Sequence, residues 1–178
     1  MGYGHKELLY AEPFANALVE NDEFRSWILK RTKFAPYADS AKVLAGEMLA
    51  QRSVGTKYWW RSHYTESCRC FGCSGHETDL LAIFEDAKRE RFALHVEVKH
   101  PGDSFKKENQ ARAYPERAKC WVRNPPAPVL VHSDATTALL FSDARRGDYG
   151  GNLRHFDVRI TFEDIRKEFP DMYVLRPL

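Results

Sequence analysis

Apolar side chains recur with a period near 3.6 in the first third of the chain and with a period of two in the middle third. Leu8, Leu9, Ala11, Ala15, Leu18 and Val19 predict helix across residues 5–32, interrupted by Pro13. Asn21 or Asp22 can cap a second segment, in which Phe24, Trp27 and Ile28 share a face. After a turn at 35–40, Ser40 can cap a third helix that buries Val43, Leu44, Met48 and Leu49. The period then changes. Residues 56–64 are rich in strand formers, 79–86 and 91–100 predict strong strands, and 127–134 and 137–143 predict two more. Residues 104–121 predict an interposed helix capped by Asp103 or Ser104, 144–155 a loop, and 161–169 a short helix capped by Thr161. Helices followed by strands with one helix between them predict an α/β fold of the mixed, α+β kind.

Within this pattern the strand at 91–100 carries charge in an unusual place. Phe92, Leu94, Val96 and Val98 alternate on one side, while His95, Glu97 and Lys99 take the other. The preceding strand is joined to it by a short charged turn around Lys88, so the two predict an antiparallel hairpin with Asp79 opposite Glu97. A slip of two residues keeps both carboxylates on one face. Two carboxylates repel, and a divalent cation relieves the repulsion; hard oxygen ligands suit Mg²⁺ or Mn²⁺. A lysine beside such an ion can orient a water or stabilise charge on a phosphate. The same acidic-x-Lys pattern recurs at Asp86–Lys88, where the expected turn leaves it no buried metal to bind.

Asp79 followed by Glu97-Val98-Lys99 resembles the PD-(D/E)XK nuclease superfamily, whose core is a helix, three antiparallel strands, a helix and a strand. The resemblance covers about residues 40–142, leaving 1–38 as an amino-terminal helical extension and 143–178 as a carboxy-terminal loop and helix of a single domain. It implies a Mg²⁺-dependent nuclease in which Asp79 and Glu97 hold the metal, Glu47 completes the shell from the first core helix, and Lys99 acts on the scissile phosphate. The Val98 carbonyl stands where the family often supplies a further ligand. Gln110 and Tyr114 resemble the Gln-x-x-x-Tyr motif of the lambda-exonuclease-like branch, four apart on one helix face and so directed at one substrate backbone. Two departures stand out. Thr78 replaces the proline that precedes the aspartate, and Pro115 directly after Tyr114 demands a kink or restart of the helix.

Just before the Asp79 strand, Cys68, Cys70, Cys73 and His76 fall within nine positions, a spacing able to hold tetrahedral Zn²⁺. His63 is another ligand type nearby. An iron–sulfur cluster recruiting Cys120, or free thiols in a loop, are the alternatives.

Composition then narrows the field. The chain has 178 residues, long enough for one domain with a sizeable core, and 43% apolar and 29% charged residues, ordinary for a globular protein. No apolar run approaches the ~20 residues of a membrane span, and the first ten residues lack a signal-peptide pattern, so a cytoplasmic protein is expected. The net charge of +2 is uninformative, but its distribution is not. Basic stretches at 30–33, 57–64 and 99–107 are interleaved with aromatics, as suits nucleic acid, with Lys57, Arg61 and Lys106 as backbone contacts. DNA is the expected partner, and strong sequence preference at this size would require a homodimer or another partner. The competing reading is a non-catalytic nucleic-acid- or protein-binding module of the same fold, zinc-stabilised or not.

Overall fold

The computed structural model describes residues 5–173; residues 1–4 and 174–178, the outer ends of the two terminal segments, lie outside the described residues. In chain order its elements are α1 (His5–Glu20), α2 (Asp22–Leu29), β1 (Lys42–Val43), α3 (Ala45–Ala50), β2 (Arg61–His63), β3 (Thr78–Glu85), β4 (Arg91–Val98), α4 (Gln110–Arg123), β5 (Asp134–Phe141), α5 (Arg146–Tyr149), β6 (Val158–Thr161) and α6 (Phe162–Glu168). The strands form one mixed six-stranded sheet in the order β1-β3-β4-β5-β6, with β2 also paired to β3. Pairs among β1 to β4 are antiparallel, and β5 and β6 join in parallel. A parallel neighbour needs a crossover, and α4 supplies it between β4 and β5. The fold is mixed α/β.

Strand alternation sorts the side chains into two cores. Leu80, Ala82, Phe84, Phe92, Leu94, Val96 and Val98 pack with Phe14, Leu18, Phe24, Ile28 and Ile165 of the covering helices. The intervening positions Leu81, Ile83 and Ala93 face Met48 and Trp121. Each buried Leu, Val, Ile, Phe or Met among them contributes ~1.5–3 kcal/mol relative to exposure. Helices α1 and α2 therefore cover one face of the sheet, and β6 carries the sheet past residue 142.

Several elements differ from the sequence expectation for identifiable reasons. Pro13 sits inside an unbroken α1; the interruption comes at Asn21, whose side chain accepts from the Phe24 N–H at 2.9 Å and caps α2. Leu9 and Val19 face outward, and Phe14 and Leu18 carry the burial instead. The third helix is shortened to α3 because Lys42 and Val43 pair with Glu85 and Phe84, and Ser40 caps nothing. Residues 127–133 make no strand, and β5 starts at Asp134; Pro126 and Pro128 remove ladder donors, and Val129 N–H closes a turn onto the Pro126 carbonyl. Helix α4 begins at Gln110, six residues later than expected, since Asp103 is engaged with Lys99 and the Ser104 N–H. It runs through Pro115 without restarting. Short helical turns occupy the expected loop at 144–155. The cap at Thr161 is present, as a capping box with Asp164. Among the described residues no helix is long and apolar enough to cross a membrane.

Candidate active site

The β3–β4 hairpin turns at Lys88 as expected. Asp86 accepts from the Lys88 and Glu90 N–H groups, and Arg89 takes the left-handed conformation at φ 67°. The register that follows pairs Leu80 with Val96, and its next step sets Asp79 across from Glu97. Both side chains lie on the α4 side of the sheet, continuing the row of Leu81 and His95.

Glu97 is 1% exposed, Lys99 3% and Asp79 7%. The Glu97 Oε1 atom accepts from Lys99 Nζ at 2.6 Å and from Gln110 Nε2 at 2.8 Å. Its Oε2 is buried with no hydrogen-bond partner. Asp79 Oδ2 accepts from the Val98 N–H at 2.9 Å. Lys99 also reaches Asp103 Oδ2 at 3.4 Å. Burial alone would push the Lys99 ammonium down, but Glu97, Asp79 and Asp103 outweigh it and hold the group above its ordinary range.

A further carboxyl, on a helix that the sequence pattern does not single out, is near enough to the site to feel its charges. Glu7, in the first turn of α1, is half-buried, and its carboxyl is pushed up to about 8, first by burial and then by Glu97, Asp103 and Glu77, against a lowering by Lys99. Glu47 is the correction to the sequence reading. It is exposed on α3, which packs against β3 near Ile83, toward the end of the strand away from Asp79.

Gln110 and Tyr114 line the cleft beside Asp79 and also brace the carboxylate strands. Tyr114 is buried; its hydroxyl accepts from the Asp79 N–H at 3.1 Å and donates to the Val96 carbonyl at 3.3 Å, tying the ends of β3 and β4 together. Gln110 positions Glu97. Lys57 and Arg61 gather at the Tyr58 ring, with their charges 4.9 and 5.7 Å from its centroid. Lys106 instead lines the cleft, of about 390 Å³, together with Lys107, Tyr64 and His76; it opens beside Asp79 and Gln110.

Arg117 underlies all of this and carries no sequence signal, since one arginine on an amphipathic helix looks like any other. It is fully buried, donating from Nε to Thr78 Oγ1 at 2.8 Å, from Nη1 to the Gly72 carbonyl at 2.7 Å and from Nη2 to the Glu77 carbonyl at 2.6 Å. The loop before Asp79 is thus bolted to α4. Gly72 allows the approach: a Cβ there would stand 2.3 Å from the Arg117 backbone nitrogen. His95, on the same face, is buried, shares a hydrogen bond with Thr78 Oγ1 at 3.2 Å and is held neutral by burial.

The sulfur atoms of Cys68, Cys70, Cys73 and Cys120 all lie within 4.8 Å of one another, an arrangement compatible with a structural zinc site. His76 is not in this group; the helix residue Cys120 takes the fourth place. His63 is buried against Arg52 instead. Among the described residues no other set of three metal-ligating side chains approaches so closely, so Glu7, Asp79 and Glu97 stand farther apart than the thiols. Burial pushes the Cys70 thiol up, but hydrogen bonds from its three neighbours overcome this and bring it to about 7. Comparison with protein-family models, curated proteins and solved structures finds no match for this chain.

Proposed function

We propose that this chain is a metal-dependent nuclease of the PD-(D/E)XK kind, hydrolysing phosphodiester bonds of nucleic acid, DNA in particular. The observation that carries the reading is the Glu97 carboxylate, buried beside Asp79 with one oxygen doubly held and the other without a partner. A buried, unpartnered carboxylate oxygen is costly, and a cation offers it a ligand role. The element order supports the reading as well: a covering helix, antiparallel β2, β3 and β4, the α4 crossover and parallel β5.

The donor set fits Mg²⁺ or Mn²⁺. Asp79 and Glu97 would hold the ion, with Glu7 and the Val98 carbonyl as further oxygens and waters in the remaining positions. Bound there, it would polarise the phosphoryl group and acidify a coordinated water. The chain's own residues do the rest. Lys99 keeps its proton at neutral pH, so its part is electrostatic: it stabilises charge gathering on the phosphate and does not act as a base. Gln110 fixes the orientation of Glu97. Lys106 and Lys107 draw the phosphate backbone along the cleft.

The test is incubation of labelled duplex DNA, single-stranded DNA and RNA with the purified protein in Mg²⁺, Mn²⁺ or EDTA. Metal-dependent cleavage lost in Asp79→Asn supports the proposal. Binding without cleavage under every metal condition would leave the non-catalytic module as the better account.

A further inference from the structure

The four thiols sit outside the carboxylate site and have no part in its chemistry. Cys68, Cys70 and Cys73 lie on the loop before β3, within turns closed by the Cys73 and Ser74 N–H groups onto the Cys70 carbonyl. Cys120 comes from the last turns of α4, 52 residues beyond Cys68, and their sulfurs are 3.7 Å apart. The closeness of all four sulfurs, mutually within 4.8 Å, decides between the candidate occupants. Thiolates 2.3 Å from one central ion at tetrahedral angles are ~3.8 Å apart. A polynuclear iron–sulfur cluster interposes several iron and sulfide atoms between its thiolates and needs a wider cage. The cysteines are all free, so no disulfide uses them.

We propose that Cys68, Cys70, Cys73 and Cys120 bind a single Zn²⁺ as a tetrathiolate, and that this ion fastens the loop to α4. Its effect reaches Asp79 through the chain itself. Five residues separate Cys73 from Asp79, and Arg117, one turn before Cys120 on α4, holds Gly72 just ahead of Cys73 and Glu77 and Thr78 within that stretch. The same helix starts with Gln110 and presents Tyr114, which touch Glu97 and Asp79. The zinc therefore sets the distance between the two elements that carry the carboxylates' partners. His76 is left to the cleft, where it lines the wall near Asp79.

Metal content and backbone exchange test this without any assay of cleavage, so the zinc proposal can fail while the nuclease reading stands, and the reverse. Wild-type protein purified without chelators should carry one equivalent of zinc by elemental analysis and native mass spectrometry. His76→Ala should keep it, and Cys120→Ser should lose most of it. After zinc removal, Co²⁺ should restore one equivalent with the intense sulfur-to-metal charge-transfer and tetrahedral d–d bands of four thiolates. Hydrogen exchange of residues 72–79 and 117–123 should be about tenfold or more faster in the zinc-free protein than in the loaded one, with β5 and β6 unchanged. If Cys120→Ser does not fold, the Co²⁺ spectrum of wild type still reports the ligand count. Zinc-free wild type that takes up no Co²⁺, iron with acid-labile sulfide, equal loss in His76→Ala and Cys120→Ser, or exchange indifferent to zinc would overturn the proposal.

Discussion

Gln110 donates to one oxygen of Glu97, at 2.8 Å, and leaves the other oxygen buried and unpartnered. The contact orients the carboxylate without blocking it. Gln110→Ala should therefore weaken metal use more than substrate binding, raising the Mg²⁺ concentration for half-maximal cleavage ~10–100-fold. Gln110→Glu should be worse, because it sets a second carboxylate against Glu97. Single-turnover rates across a Mg²⁺ titration, with DNA affinity measured in parallel, separate the two effects.

Glu7, which the sequence pattern passes over, feels the charge of Glu97, whereas Glu47 is exposed on α3. Glu7→Gln should lower the cleavage rate at least ~10²-fold, while Glu47→Gln stays near wild type. Stability supplies an independent readout. A carboxyl raised from 4.5 to about 8 in the folded state contributes stability fully below 4.5, and that contribution is lost as pH rises through 8. In EDTA, Glu7→Gln should thus be more resistant to urea than wild type at pH 9 and gain nothing at pH 4. Equal urea midpoints at pH 9 would contradict the burial of Glu7 beside Glu97.

If the proposed nuclease mechanism operates, Lys99 and Glu97 should respond differently to metal. Glu97→Ala removes a ligand, so excess Mn²⁺, the more tightly held ion, should restore part of the rate. Lys99→Ala removes an ammonium acting on the transition state; its loss of ~10²–10³ should persist at saturating metal. DNA binding should survive Lys99→Ala, since Lys106 and Lys107 remain in the cleft. A Lys99→Ala protein that cuts at the wild-type rate removes Lys99 from the mechanism.

Two buried histidines predict sensitivity to mild acid. His63 is lowered from 6.5 to about 3, chiefly by burial and then by Arg52, and His95 is lowered well below its ordinary value by burial and then Arg117. Folding keeps both neutral, so the stability they confer is present above pH 6.5 and lost as pH falls toward their folded values. Each adds a slope of up to ~1.4 kcal/mol per pH unit in that window. Urea midpoints should fall steeply from pH 6.5 to 5, before most carboxylates titrate, and less steeply in His63→Gln.

Gly72→Ala tests the contact between loop and helix. The added methyl meets the backbone of Glu116 and Arg117, which cannot rotate away as a side chain would. The loop must lift, stretching the three Arg117 hydrogen bonds. A loss of ~1–3 kcal/mol or more in unfolding free energy is expected, with slower cleavage at temperatures where the protein remains folded. Ala at Gly46, which has open space around it, is the control.

The features legible in the sequence are those written locally. Alternation on two neighbouring strands and a turn centred on Lys88 suffice to place Asp79 opposite Glu97, because register and face follow from counting. The caps at Asn21 and Thr161 are equally local. Glu7 escapes such counting. Its meeting with Glu97 depends on how α1 crosses the sheet, 90 residues from its partner in sequence. Glu47 misleads because β1 claims the start of its helix for pairing with β3. Cys120 and Arg117 belong to a loop 40 to 50 residues earlier, and no spacing rule joins a helix to a loop that far away.

That long reach has a consequence during synthesis. The loop at 72–78 receives the Arg117 guanidinium at two carbonyls and a hydroxyl, and its Asp79 amide waits for Tyr114. A nascent chain whose hairpin has already left the ribosome still lacks every one of these groups. The carboxylates can pair across β3 and β4 early, but they are aligned only after α4 has emerged and crossed over the sheet. A cluster built this way is completed late: a truncated or stalled chain ending before residue 110 carries Asp79, Glu97 and Lys99 but none of the α4 side chains that brace them.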